Sequence, residues 1–276
     1  MNSKVYQIGN KTFDFSQAYV MGILNVTPDS FSDGGKFFDK NFAIQHSLGM
    51  IKEGVDIIDI GGESTRPNSD FVDEETEINR VIPVIEKILS EHNDTIISVD
   101  TNKSIVAEEA LRAGAQIIND ISGLQFDDKM VEVVKKYNAA LIVMHIKGTP
   151  KNMQVNPTYD DLIAEVKDYL RNSIYKAEAN GIQNIIVDPG IGFGKTMEHN
   201  YEVIKRLDEF EEFGYPILIG LSRKNFIGKT LNLDVTERDV PTAILEAASI
   251  KNGARIIRTH NVQYGKYVCN LLNNII

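Results

Sequence analysis

A single cysteine, Cys269, in 276 residues excludes an internal disulfide. The chain also lacks any apolar run near the ~20 residues that a membrane-spanning helix needs. Nor does it contain a Pro/Gly/Ser-rich tract, a low-complexity segment or a charge block of the kind that separates domains. Positive charge is in deficit, with 29 Lys and Arg against 39 Asp and Glu and a net charge of -10. That balance argues against nucleic-acid binding through a general basic surface, which runs on clustered cations. An anionic small substrate stays open, because a few local cations outweigh a distant field screened within ~8 Å. With no signal-like start, the chain reads as cytoplasmic. Cys269 lies in a terminal helical pattern and reads as a packing residue rather than a nucleophile.

What is present is a strict alternation. Short β-rich runs are expected at Tyr19–Val26, Val55–Ile60, Thr95–Val99, Ala115–Asn119, Ala139–His145, Asn184–Val187, Pro216–Gly220 and Ala254–Arg258. Helical patterns follow them at Phe42–Glu53, Asp73–Ser90, Lys103–Ala113, Asp127–Tyr137, Tyr159–Asn180, His199–Phe213, Thr242–Asn252 and Val262–Asn273. In the second of these, Ile78, Val81, Ile82, Ile85, Ile88 and Leu89 recur at i, i+3, i+4 and i+7, which makes a helix face. Several strands, such as Ala139 to Met144, are apolar on both faces, as strands of a covered parallel sheet must be. Gly54, Gly114, Gly181 and Gly253 fall between a helix pattern and the next strand, where glycine closes a helix in the left-handed conformation. Eight such units in a chain of this length predict an α/β fold, a (β/α)8 TIM barrel, as one domain over residues 1–276. Val5–Ile8, Gly9-Asn10 and Thr12–Phe15 predict a short N-terminal β-hairpin that closes the barrel floor.

The polar and glycine-rich clusters all follow strands, and the active site of such a barrel lies at the C-terminal ends of its strands. They comprise Asn25 to Gly35, Gly61 to Pro67, Asp100-Thr101, Asn119 to Gly123, His145, Asp188 to Thr196, Ser222 to Phe226 and Arg258 to His260. Gly190-Ile-Gly-Phe-Gly-Lys-Thr196 is neither a phosphate loop, since Pro189 stands where the first glycine belongs, nor a dinucleotide loop, since Lys195 takes the third glycine's place. The five histidines show no paired metal spacing, and His46, His92 and His199 read as surface residues.

Met21-Gly-Ile-Leu-Asn-Val-Thr-Pro-Asp-Ser-Phe-Ser-Asp-Gly-Gly35 resembles the first signature of the dihydropteroate synthase family, and Asp59-Ile-Gly-Gly-Glu-Ser-Thr-Arg-Pro67 resembles its second. Ser98-Val-Asp-Thr101, Asn119-Asp120, Asp188 to Phe193, Ser222-Arg-Lys224 and Arg258-Thr-His260 follow in the family's order, so the likeness runs from about residue 19 to the end. The resemblance implies condensation of 6-hydroxymethyl-7,8-dihydropterin pyrophosphate with p-aminobenzoate, with Mg2+ as cofactor and a homodimeric enzyme.

It also implies roles. Asp188 would hold the guanidine-like edge of the pterin, a fork suited to one carboxylate. Asp100 and Asn119 would meet other ring atoms, Lys224 the carbonyl and adjacent nitrogen, and Met144 the ring face. Asn25, Arg258 and His260 correspond to the pyrophosphate site, with Asn25 also a metal ligand; a single amide oxygen suits a magnesium that keeps waters and borrows substrate oxygens. Phe31, Asp33, Thr65, Arg66 and Pro67 would close over the complex from two Gly- and Ser-rich loops, Asp33 facing the developing cation. Phe31, Pro67 and Phe193 would wall the amine pocket. The chain departs from the pattern at Asn225, where the family often has Ser, and this residue is expected at the mouth of the amine pocket. Two other readings share some of these residues: a pterin-binding methyltransferase, which has no need of Arg258, His260 or the Thr27–Gly35 loop, and a barrel retained only as a binding scaffold.

Overall fold

The computed structural model describes residues 4–27, 36–64 and 71–276, with side chains from residue 41 onward in the middle segment. An antiparallel hairpin of β1 (Val5–Ile8) and β2 (Lys11–Asp14) precedes the barrel. Eight parallel strands then close on themselves: β3 (Tyr19–Asn25), β4 (Ile57–Gly61), β5 (Ile96–Asp100), β6 (Ile117–Asp120), β7 (Ala140–Met144), β8 (Ile185–Asp188), β9 (Ile217–Ile219) and β10 (Ala254–Thr259). The last pairs with the first, Ile256 beside Tyr19 and Arg258 beside Met21.

Helices fill the outer layer: α1 (Lys36–Lys52), α2 (Glu74–Glu91), α3 (Ser104–Arg112), α4 (Met130–Tyr137), α5 (Leu162–Ala179), α6 (Met197–Lys205), α7 (Asn225–Leu231), α8 (Asp239–Lys251) and α9 (Val262–Leu272). Their starts are chemically marked. Asp73 accepts from the Thr76 amide at the head of α2, Asp161 from Ala164 at α5, and Asn261 from Tyr264 at α9, each satisfying a donor that the helix itself leaves unpaired. The four helix-closing glycines have φ of +82° (Gly54), +109° (Gly114), +82° (Gly181) and +104° (Gly253), the left-handed region that L side chains resist.

The eight expected strands and the helical patterns thus stand where the sequence placed them, with two differences. His199–Phe213 is not one helix: α6 ends at Lys205, and Leu207–Phe213 is a 3-10 helix. Arg206 leaves helical geometry at that break, with φ -110° and ψ 26°, while its guanidinium binds Glu202 on one side and Glu209 on the other. Helix α7 had no counterpart in the sequence reading, because seven residues with Gly228 among them carry too few apolar positions to show a period.

The period-2 alternation of the strands divides the core in two. Outward residues such as Ile58, Ile60, Ile97, Val99, Leu141 and Val143 pack under the helices. Inward residues at the N-terminal end, among them Met21, Ile57, Ile96, Ile117, Ala140, Ile186, Leu218 and Ile256, form a second cluster with Tyr6, Ile8, Phe13 and Phe15 of the hairpin segment. The hairpin therefore plugs the floor, and the Tyr6 hydroxyl donates to the Ile185 carbonyl at 2.8 Å. Cys269 is buried in the outer core, where burial pushes its thiol up to about 12, as befits a packing residue.

Candidate active site

The same alternation builds the site. Inward positions above the apolar floor turn largely polar: Asp59 on β4, Ser98 and then Asp100 on β5, Asn119 on β6, Asp188 on β8, Arg258 on β10 and Asn25 on β3, with Gly61 on β4 and the apolar Met144 on β7 at the same level. Register brings them side by side. Asn25 pairs with Gly61, Gly61 with Asp100, and Asp100 with Asn119, while Met144 pairs with Asp188.

On one side of the mouth lies a charged network. Arg258 donates from Nε to Asp59 Oδ2 at 2.6 Å and from Nη2 to Asp100 Oδ2 at 2.8 Å. Asn119 Nδ2 donates to the same Asp59 oxygen at 3.1 Å. Asp59 is fully buried, so this carboxylate fixes both the plane of the guanidinium and the orientation of the Asn119 amide. Burial raises the Asp100 carboxyl above the ordinary range, Arg258 opposes that rise, and the nearby Asp59 charge adds to it.

Across the mouth, Asp188 Oδ1 accepts from the Gly190 amide at 2.7 Å. Burial raises Asp188 to about 6, opposed by that amide and by the cations of Lys224, Lys195 and Arg258. Burial and Arg258 lower Lys224 to about 8, opposed by Asp188 and Asp100. Its ammonium lies 4.5 Å from the centre of the Phe193 ring, a cation–π distance. Met144 and Phe193 belong to one small apolar cluster with Ile121, Ile146 and Met153, roofing the same side. The barrel mouth therefore presents carboxylates and cations against apolar faces, an arrangement suited to a flat, hydrogen-bonding heterocycle with a charged substituent.

The chain matches the model of the pterin binding enzyme family over residues 21–260. It is 46% identical over 260 residues to a dihydropteroate synthase of Clostridium beijerinckii, covering 93% of this chain and 94% of that one. The chain belongs to the dihydropteroate synthase family. Among solved structures, a dihydropteroate synthase of Clostridium difficile in the presence of pteroic acid superposes with a TM-score of 0.88 at 43% identity, covering 98% of both chains. One from Xanthomonas albilineans with 4-aminobenzoic acid gives 0.92 at 36% identity, covering 99% of this chain and 98% of that one.

Within this barrel, Asp100, Asn119, Met144, Asp188, Arg258 and Asn25 meet at one mouth by strand order and register, and the loop residues Phe193 and Lys224 join them beside Asp188. His260 follows β10 on the same rim, its ring Nδ1 2.9 Å from the Ser222 hydroxyl and its amide donating to that oxygen at 3.0 Å. Asn225 is different. It opens α7, its Oδ1 accepts from Arg238 at 3.2 Å, and it shares an outer crevice with Gly228, Lys229 and Asn232. Phe31, Asp33, Thr65, Arg66 and Pro67 lie outside the described residues. Two buried groups at the mouth were given no role in the sequence reading. Asp59 could have been found, since it is a lone acid at inward parity within the apolar run Ile57 to Ile60. Lys195 carried no such signal, because it lies in a loop without period.

Proposed function

We propose that this protein condenses 6-hydroxymethyl-7,8-dihydropterin pyrophosphate with p-aminobenzoate to give 7,8-dihydropteroate and pyrophosphate, a step of folate synthesis. The observation that carries the reading is the opposition, across one barrel mouth, of buried Asp188 and half-buried Lys224 to the Arg258–Asp59–Asp100 network. Asp188 offers the pterin's amino and ring N–H fork a carboxylate already oriented by Gly190. Lys224 donates to the ring carbonyl, with Asp100 and Asn119 serving the other heteroatoms. Arg258, held edge-on by two carboxylates, presents its plane to the ring and its charge to the leaving group.

The reaction is substitution at the carbon bearing pyrophosphate. The neutral aniline nitrogen needs no strong base, so the residues' work is to hold the pterin, draw off the anion and exclude water. Met144 and Phe193, both buried and apolar, serve the last task. Arg258, His260 and Asn25 would receive the pyrophosphate.

Mg2+ fits this site as a proposal. Among the described residues no three His, Cys, Asp or Glu side chains cluster as a metal cage. Asn25 Oδ1 is a hard oxygen donor at the mouth, beside Gly61, and suits an ion that keeps waters and takes diphosphate oxygens. When bound, it would neutralise the departing pyrophosphate.

We further propose a homodimer and a cytoplasmic location. Val240 and Ile244 on α8 and Tyr267 and Leu271 on the adjoining α9 expose apolar side chains one turn apart, which supports a self-complementary face. No helix among the described residues is long and apolar enough to cross a membrane. Mixing the protein with both substrates and Mg2+ and seeking dihydropteroate by mass tests the function. Pterin binding without that product, under conditions where the protein is folded, would contradict it.

A further inference from the structure

The loop from Asp188 to Thr196 contains a buried lysine, lowered by burial to about 7 against the pull of Asp188, that the proposed reaction does not use. Lys195 is 2% exposed, yet it makes no ion pair among the described residues. Its ammonium donates instead to the Gly190 carbonyl at 2.9 Å, approaches the Phe193 carbonyl at 3.4 Å, and donates to His145 Nδ1 at 2.7 Å. An ammonium buried this way is expensive, and a Met or Leu would fill the slot at lower cost. Retaining it calls for a reason beyond packing.

The geometry supplies one. The loop lies pressed on the segment after β7: a Cβ at Gly190, whose φ is +72°, would stand 1.9 Å from the His145 carbonyl oxygen, and one at Gly194 would stand 2.6 Å from that of Lys147. Gly190 links two functional groups through its own backbone N–H and carbonyl. Its amide donates to Asp188 Oδ1, and its carbonyl accepts from the Phe193 amide at 3.1 Å and from Lys195. The Phe193 ring in turn lies under the Lys224 ammonium. His145 serves as a neutral acceptor, since burial and then the Lys195 charge hold its imidazole well below the usual range.

We propose that Lys195 is a positioning residue for pterin binding: through the Gly190 and Phe193 carbonyls it sets the loop that aims the Asp188 carboxylate and the Phe193 ring, with His145 as its anchor just after β7. This inference rests on the reading that Asp188 holds the pterin edge. Lys195 acts through the loop and touches no substrate.

The test is Lys195→Met, which keeps the volume and removes the donor, compared with Asp188→Asn in the full-length protein. Calorimetry with the dihydropterin pyrophosphate is expected to show about tenfold or greater weakening for Lys195→Met. With both substrates saturating, kcat should stay within about threefold of the parent, because bound pterin is still turned over. Pterin affinity unchanged in Lys195→Met but reduced in Asp188→Asn would overturn the inference alone. Unchanged affinity in both would remove Asp188 from the pterin and take the inference with it. A drop in kcat matching the loss of folded protein, with normal affinity in the folded fraction, would show a purely structural lysine and also overturn it. Should Lys195→Met fold poorly, Lys195→Gln is judged by the same criteria.

Discussion

Asp188 combines the two properties that a pterin-edge residue needs, burial and a preset direction, and both have measurable consequences. Asp188→Asn offers one acceptor where the carboxylate offers two and turns a donor toward a donor. The expected loss in pterin affinity is about 1–3 kcal/mol with the fold intact. The raised carboxyl adds a pH signature. As pH falls through about 6, Asp188 takes up a proton and stops being a two-site acceptor, so parent affinity should decline on the acid side, and Asp188→Asn should show a shallower limb, that of the raised Asp100 carboxyl alone. Calorimetry from pH 5 to 8 checks both, and parallel profiles for parent and variant would count against the assignment. At this scale the family motifs marked Asp100, Asn119, Asp188 and Arg258, and strand register sets these residues at the C-terminal ends of their strands. The sequence was less legible where a side chain's partner is remote. Asn225 is expected at the mouth of the amine pocket, and its amide oxygen accepts from Arg238, thirteen residues on in the chain. Likewise, the Lys195 contacts with His145 span fifty residues and leave no local pattern.

The elements divide the labour between stability and chemistry. The β1–β2 hairpin fills the end of the barrel opposite the site, so a cavity there should cost stability and spare binding. Phe13→Ala, at a position 2% exposed, is expected to lose about 3–5 kcal/mol of folding stability. Denaturant melts and pterin calorimetry on the folded variant test this together, and a matching loss of affinity would contradict the separation of floor from mouth. In the outer layer, Glu246 of α8 is 1% exposed, and burial raises its carboxyl to about 8, opposed by a hydrogen bond with Thr259 of β10. A carboxyl whose folded pKa lies above its unfolded value of about 4.3 adds stability in acid that is lost as pH rises through about 8. Glu246→Gln cannot ionise, so its melting temperature relative to the parent should rise between pH 5 and pH 9 by a few degrees. A constant difference would mean that Glu246 is already ionised in the folded protein or is solvated. The repeating elements were readable because apolar period and helix-closing glycines are local. Helix α7 was not, because a seven-residue helix is set by the packing of Phe226 and Ile227 rather than by its own pattern.

At the scale of the whole molecule, closure of the barrel turns eight separate strand ends into one rim, which is why clusters spread over the sequence from Asn25 to His260 meet. The outer surface carries a separate expectation. If the exposed apolar residues of α8 and α9 form a two-fold interface, Ile244→Glu should shift the sedimentation coefficient from dimer to monomer while the barrel stays folded. A parent that sediments as a monomer would refute the interface. The central claim is that the rim joins a pterin to an arylamine with loss of pyrophosphate. The most direct measurement follows dihydropteroate and pyrophosphate together in one reaction containing the protein, the dihydropterin pyrophosphate, p-aminobenzoate and Mg2+. The account predicts equal amounts of the two products, formed only when both substrates are present. Folded protein that binds the pterin yet releases no pyrophosphate with any aniline would contradict it.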